Sequence, residues 1–256
     1  ILNRDDSHYE EIKRYASCPV YEFSLETPCD FFASNIRCVA DGSFVGVEFD
    51  IKGNYEADVK VGVPGRFNVY NALGAFAVAS FLELPKSQVE QALKTLRVNG
   101  RMELVYSSPE FSVIVDYAHN AVSMESLLKT LREYHPKRLV CVFGCGGNRA
   151  KDRRYAMGEM GGKMADLCIL TADNSRFEKT EDIIADIKSA LIPTGGAYLE
   201  IPDRREAITY AITHAQKGDM IAVIGKGHED YQEENGVRRP FLDRAVIEEV
   251  IGICRS

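Results

Sequence analysis

Residues 139–149 read Leu139-Val140-Cys141-Val142-Phe143-Gly144-Cys145-Gly146-Gly147-Asn148-Arg149, five apolar residues that stop at a glycine run with a polar edge. A strand covered on one face only would alternate, so an unbroken apolar run of this length is a strand buried on both faces. The plan recurs at Ser112 to Tyr117, Leu167 to Asp173, Ala197 to Ile201 and Met220 to Gly225. Helices fit between and after these runs, at about 121–134, 153–165, 180–191, 203–215 and 242–252. Strands alternating with amphipathic helices predict right-handed βαβ units and an α/β fold, with a mostly parallel sheet covered on both faces. Such sheets bind ligands outside the carboxyl ends of their strands. Here four of those ends read Asp116-Tyr117-Ala118-His119-Asn120, Gly144 to Arg149, Asp173-Asn174-Ser175-Arg176 and Gly225-Lys226-Gly227-His228-Glu229.

Upstream the pattern changes. The first third reads as irregular until Ser43, after which Val45, Val47, Phe49 and Ile51 alternate, Gly53-Asn54 interrupts, and Tyr55, Ala57, Val59, Val61 and Val63 alternate again. That is a β-hairpin. Pro64-Gly65-Arg66 ends it, an Ala-rich helix from Phe67 to Leu84 follows, and a second helix beyond Pro85 is expected to be capped by Ser87. Asn68 and Asn71 lie one turn apart near the start of the first helix. Val98-Asn99-Gly100-Arg101 breaks the pattern, so the domain boundary is placed near residue 100, giving domains 1–99 and 100–256.

A chain of 256 residues, 45% hydrophobic and 27% charged, is long enough for one large core or two modest ones and is not a disordered or repeat sequence. Lys plus Arg against Asp plus Glu is 31 − 38 = −7, which argues against broad binding to nucleic acid or an anionic membrane and for a small partner. The seven Cys (18, 29, 38, 141, 145, 168 and 254) are odd in number and mostly flanked by apolar residues, and read as reduced core thiols of a cytoplasmic protein. No run reaches the roughly 18 to 20 apolar residues of a membrane span and no leader is evident, so membrane insertion is not expected. The opening ILNRDD, with Ile1 in place of Met, reads as a fragment.

Arginines at strand ends recognise carboxylate or phosphate, and carboxylates recognise ammonium or sugar hydroxyls, so this edge suits a zwitterion or a nucleotide. Gly144-Cys145-Gly146-Gly147 falls short of G-x-G-x-x-G because position 149 is Arg, which disfavours a nicotinamide site. Arg149, Lys151, Arg153 and Arg154 form a basic run; Lys151 and Arg153 read as a solvated helix start, whereas Arg149 directly follows the glycine turn. His119 and His228 stand at strand ends, no Cys or His pair has metal-ligand spacing, no Ser-centred nucleophile elbow occurs, and Asp5-Asp6 reads as a surface loop pair unless it has a better use.

Eight pieces together resemble the Mur ligases, ATP-dependent enzymes that add amino acids to the peptidoglycan precursor. These are LNRDD (2–6), GRFNVYNALGAFA (65–77), NGRME (99–103), VDYAHN (115–120), VFGCGGNR (142–149), ADNSR (172–176), DRREAI (203–208) and GKGHEDYQ (225–232). They run in family order along the whole chain and are most similar to the branch that adds the third residue, usually meso-diaminopimelate. The resemblance implies the last part of the central ATPase domain, with its β-hairpin and helices, followed by a Rossmann-like C-terminal domain. No G-x-x-x-x-G-K-[ST] loop is present, so the chain by itself is expected not to ligate.

The resemblance also implies roles. Asn68 and Asn71 match asparagines beside the adenine of ATP, Arg101 an arginine directed at phosphates, and Asp116 the ribose-binding aspartate, with His119 close to the phosphates. For the amino-acid substrate, Arg149, Asp173, Asn174, Arg176, Gly225 and Glu229 match the family's contacts. Ser175 departs from the usual Pro of that loop, and Asn148 stands where Asp is common. No residue of this chain is assigned as catalytic or as a metal ligand; ATP is the implied cofactor, with Mg²⁺ held mostly by residues upstream. Implied partners are the UDP-N-acetylmuramoyl dipeptide, ATP and a diamino acid. The rival expectations are a folylpolyglutamate synthase-like ligase, which shares an Asp-x-Ala-His-Asn element, and a non-catalytic amino-acid-binding module.

Overall fold

The computed structural model describes residues 1–41 and 44–255, with side chains as far as residue 252, so Ser43 and the Cys254 side chain lie outside the described residues. The chain forms two compact units that divide between Arg97 and Val98.

The first unit is built on a five-stranded sheet in the order β1-β2-β3-β4-β5, formed by β1 (Leu2–Asn3), β2 (Glu22–Ser24), β3 (Phe31–Ala40), β4 (Val45–Gly53) and β5 (Ala57–Val61). Helix α1 (Tyr9–Arg14) lies between β1 and β2, and α2 (Asn68–Phe81) and α3 (Lys86–Thr95) follow β5. The predicted hairpin is β4 and β5, and its inward residues Val45, Val47, Phe49, Ile51, Val59 and Val61 are buried as alternation requires. The segment before it is not irregular: β3 pairs antiparallel with β4 along its length. Its alternation is disguised by a register shift between Ser34 and Arg37, where Asn35 turns to φ +54°. Ser87 does not cap α3. Pro85 takes the cap position with no side-chain bond, because its fixed φ already suits the turn into the helix. Asp5 is not a solvated surface residue either, since it accepts from the Ser24 hydroxyl (2.5 Å), the Leu25 amide (2.7 Å) and the Tyr70 hydroxyl (3.0 Å).

The second unit holds β6 (Glu103–Ser107), β7 (Phe111–Asp116), α4 (Ala121–Arg132), β8 (Arg138–Phe143), α5 (Asp152–Met164), β9 (Leu167–Leu170), α6 (Thr180–Leu191), β10 (Tyr198–Glu200), α7 (Arg204–Thr213) and β11 (Asp219–Ile224). A small hairpin of β12 (Tyr231–Glu234) and β13 (Val237–Pro240) then precedes α8 (Asp243–Arg255). The sheet order is β10-β9-β8-β11-β7-β6, parallel throughout except for β6 at its edge. One face carries Val113, Val115, Val140, Val142, Ile169, Ile221 and Val223 against Ile208, Ile212, Val246 and Ile247 of α7 and α8. Burial on both faces is what the unbroken apolar runs encode. The antiparallel β6 and the β12–β13 hairpin go beyond the predicted elements.

Cys141, Cys145 and Cys168 are buried free thiols, and burial pushes Cys145 and Cys168 up to about 12. Cys18 is exposed and Cys29 and Cys38 are only partly buried, which corrects the core reading for these three: Cys18 and Cys29 lie in loops of the first unit, and Cys38 lies in the half of β3 beyond its register shift, where burial is incomplete. Among the described residues no helix is long and apolar enough to cross a membrane.

Candidate functional site

In the second unit the chain order of the parallel strands reverses around β8 and β11, so the loops leaving their carboxyl ends diverge and open a crevice. The crevice has a volume of about 370 Å³, and its wall includes Tyr117, His119, Cys145, Arg149, Arg153, Asp173, Asn174, Arg176, Gly225 and Glu229. All six amino-acid-site residues expected from the sequence therefore meet in one place, with Tyr117, Cys145, Arg153 and Tyr231 as added neighbours.

Close backbone approach makes the crevice narrow. A Cβ on Gly147 would fall 1.9 Å from the Ser175 carbonyl oxygen, so the loop after β8 and the loop after β9 can touch only through glycine. Gly225 has φ +110°, and a Cβ there would fall 2.7 Å from Asp173 Oδ2. Two non-glycine residues also occupy the left-handed region, Asn148 at φ +53° and Arg176 at φ +53°. Asn adopts that conformation readily; Arg does not, and must be held there.

Arg176 is held on three sides. Its amide donates to the Glu233 carbonyl (3.0 Å), its carbonyl accepts from the Asn235 amide, and its Nη1 donates to the Gly147 carbonyl (2.8 Å). The first two contacts come from the β12–β13 hairpin, which adds a bond from Gln232 Nε2 to the Asp173 carbonyl (3.3 Å) and one from the Glu233 amide to Asn174 Oδ1 (2.9 Å). The rigidity a proline at position 175 would have supplied comes instead from this brace. Glu229 accepts from Asn174 Nδ2 (2.9 Å), Tyr117 Oη (3.3 Å) and Lys226 Nζ (3.3 Å).

Arg149 and Arg153 are exposed, and their guanidinium groups have no hydrogen bond or ion pair among the described residues. The basic run thus splits by direction. Lys151 pairs with Asp186 (3.1 Å), Arg153 faces the crevice, and Arg154 turns inward at 1% exposure to bond Glu178 (2.8 Å) and Asp186 (2.9 Å). Glu178 is drawn down to about 2 by the Arg154 bond and by the Asn148 amide, so it anchors the loop that carries Arg149.

Asp116 ends β7 and is nearly buried; burial raises its carboxyl above the usual range, opposed by amide bonds from Met102 (2.8 Å) and Ala118 (2.7 Å). Each of its oxygens keeps a lone pair for a hydroxyl. Arg101 stacks its guanidinium 4.7 Å from the Tyr117 ring, and His119 shares Nδ1 with the Tyr117 carbonyl at 2.9 Å. In the first unit, Asn68 and Asn71 meet side by side on α2. Asn71 Nδ2 donates to Asn68 Oδ1 (3.0 Å) and Asn68 Nδ2 to the Pro64 carbonyl (2.7 Å), which leaves the exposed Asn71 carboxamide with its oxygen uncommitted in these bonds. No three His, Cys, Asp or Glu side chains group to hold a metal ion among the described residues.

Two residues at this edge escaped the sequence reading. Lys226 is 0% exposed beneath Glu229, and Arg204 is 1% exposed beneath the β9 and β11 ends, bonding the Ala172 (3.1 Å) and Ile224 (3.0 Å) carbonyls and both oxygens of Asp243 at 2.7 Å. Lys226 stands inside the quoted GKGHE stretch, but nothing in the sequence says that its ammonium points inward.

Comparison with known proteins gives a consistent result. A family model described as "Mur ligase, glutamate ligase domain" matches residues 100–227, and one described as "Mur ligase middle domain" matches residues 1–79. UDP-N-acetylmuramoyl-L-alanyl-D-glutamate–2,6-diaminopimelate ligases from Caldanaerobacter subterraneus subsp. tengcongensis and Clostridioides difficile are each 38% identical over 98% of this chain. The chain spans about half the length of these relatives, 52% of each. A solved structure of a ligase of the same name superposes with a TM-score of 0.79 at 32% identity, covering 99% of this chain and 53% of that one. A folylpolyglutamate synthase from Thermotoga maritima shares the fold, with a TM-score of 0.62 at 21% identity over 85% of this chain and 48% of its own.

Proposed function

Because the chain belongs to the Mur ligase family, we propose that it supplies the amino-acid-binding part, and a share of the nucleotide contacts, of an ATP-dependent amide-forming ligase. The proposed reaction adds meso-diaminopimelate to UDP-N-acetylmuramoyl-L-Ala-D-Glu in peptidoglycan synthesis, and a nucleotide-linked precursor of this kind implies a cytoplasmic setting. In it the peptide carboxylate is activated by phosphoryl transfer from ATP and attacked by the amine, giving amide, ADP and phosphate. The residues proposed for the amino acid all lie beyond the boundary near residue 100, whereas those proposed for the nucleotide come from both sides of it.

The observation that carries the reading is the crevice in which Arg149, Arg153 and Arg176 share a wall with Asp173 and Glu229. meso-Diaminopimelate has two ammonium and two carboxylate groups, and a polar slot with cations and anions both present pairs them all. L-Lysine lacks the distal carboxylate and leaves one cation without a partner. Arg176 is assigned that distal carboxylate, because its fixed left-handed backbone and its bond to Gly147 preorganise the guanidinium. Arg149, free of internal partners, takes the other carboxylate, and Asp173, Asn174, Gly225 and Glu229 orient the ammonium groups. This chain's contribution is to position the attacking amine. No metal-dependent step is assigned to these residues.

For the nucleotide, Asn68 and Asn71 are assigned to the adenine edge, where a carboxamide both donates and accepts. Asp116 is assigned to the ribose hydroxyls, and Arg101 and His119 to the phosphates.

The test is ADP release by the full-length protein, dependent on the UDP-dipeptide and measured with meso-diaminopimelate and with L-lysine. Arg176→Ala should raise the KM for diaminopimelate by tens-fold to a few thousand-fold, equivalent to about 2 to 5 kcal/mol for a truncated charge pair, with little change in the KM for ATP. Equal losses toward both amino acids, or a wild type that prefers lysine, would overturn the diaminopimelate assignment.

A further inference from the structure

Lys226 carries a full charge at 0% exposure, a placement that costs several kcal/mol unless every donor is met. An ammonium has three N–H donors. Here they meet Asn174 Oδ1 (3.2 Å), Glu229 Oε2 (3.3 Å) and the Tyr231 carbonyl oxygen, and the Tyr231 ring lies 5.3 Å from Nζ. These three acceptors come from three separate pieces of the site: the loop after β9, the loop after β11 and the first residue of the β12–β13 hairpin. Asn174 closes the arrangement, because its Nδ2 donates to the same Glu229 oxygen and its Oδ1 also takes the Glu233 amide.

We propose that Lys226 is a positioning residue for the amino-acid subsite: its buried ammonium sets the place and rotamer of Glu229 and Asn174 and locks the hairpin to them, without touching substrate itself. The proposal rests on the reading of this crevice as the diamino-acid site. Its chemical content is directional. With Oε2 of Glu229 committed to Lys226 and Asn174, the carboxylate presents Oε1, whose protein contact is the Tyr117 hydroxyl, toward the crevice. Without the ammonium, Glu229 loses its counter-charge and keeps only the Asn174 and Tyr117 bonds, Asn174 itself loses a partner, and the hairpin bond that holds Arg176 in its left-handed conformation loses its support at Tyr231. One buried cation therefore governs both the acidic and the basic recognition groups of the far amino-acid end.

The experiment uses the full-length protein with Lys226→Met, an apolar near-isostere, and Lys226→Gln, which keeps two N–H donors without the charge. Each is also made in the Glu229→Gln background, and melting is recorded throughout. The expected result is a diamino-acid KM at least tenfold higher for Lys226→Met and a smaller rise for Lys226→Gln. The ATP KM should stay within about twofold, and adding Glu229→Gln should cost less than about twofold more, because Lys226 acts through Glu229. Parallel losses in both KM values, full additivity with Glu229→Gln, an unchanged diamino-acid KM, or failure of both position-226 variants to fold would each overturn the proposal. If the wild type releases no ADP in response to a diamino acid, the functional reading fails instead, which separates the two failures.

Discussion

The two units bury different things. In the first, the buried side chains are apolar apart from Ser24 and Asn68, and the lysines of α1 and the hairpin stay exposed over the partly buried carboxylates of Glu22 and Glu48. In the second, Arg154, Arg204, Lys226 and Asp243 are all at or below 1% exposure, and all four lie under the carboxyl ends of the strands or the loops leaving them. Burying charge is a poor way to gain stability, since an apolar replacement of similar volume is often as good. It is a good way to fix direction, because a buried charge tolerates only one arrangement of its partners. The first unit thus holds its shape by packing, whereas the second spends hydrogen-bonding capacity on loop position where ligand recognition is proposed.

The contrast can be broken at its strongest point. Asp243→Ala leaves Arg204 buried without its counter-ion and should cost about 3 to 5 kcal/mol, read as lost amide-exchange protection confined to residues 98–252. Phe76→Ala, at a side chain only 1% exposed in the first unit, should cost a similar amount of about 3 to 5 kcal/mol through a cavity, with the loss confined to that unit. A cost below about 1 kcal/mol for Asp243→Ala would mean that the buried ions of the second unit are dispensable.

A smaller effect sharpens the comparison through pH. Glu178 is depressed to about 2 by Arg154 and the Asn148 amide, against an ordinary value of 4.5. A depressed carboxyl contributes stability that is fully present above its unfolded value and is lost as the pH falls through its folded one. The melting-temperature advantage of wild type over Glu178→Gln should therefore be constant above about pH 5 and shrink between 4.5 and 2. An advantage independent of pH would remove Glu178 as the anchor of the Arg149 loop. Smallest of all is Arg205→Ala, which breaks a pair with Glu249 whose side chains are 51% and 55% exposed. It should cost less than about 0.5 kcal/mol in a chemical-denaturation midpoint measured at moderate salt.

Much of this was legible in the sequence. The unbroken apolar runs gave β7, β8, β9 and β11, and their polar ends gave the residues that meet in the crevice, because a parallel sheet fixes which end of each strand is functional. The hairpin of β12 and β13 had a readable signal in Asn235-Gly236, both at positive φ (+49° and +74°), a pair suited to a two-residue turn. Its strands, YQEE and VRRP, carry no apolar alternation to announce a half-buried sheet. Strand β3 was hidden by its bulge, and Asp5 by lying 65 residues from the Tyr70 hydroxyl that it accepts from.

The sequence by itself determined which residues stand at the strand ends and which chemistry they carry, since strand period and glycine placement are local properties. Only the tertiary structure decided which charges face inward. Lys226 and Arg153 have the same charge and similar reach, yet one is sealed beneath Glu229 and the other is exposed beside the crevice. Arg204 finds Asp243 across 39 positions of chain. Whether a long cationic side chain is buried depends on whether acceptors from distant segments converge on it, and convergence is a property of the folded chain.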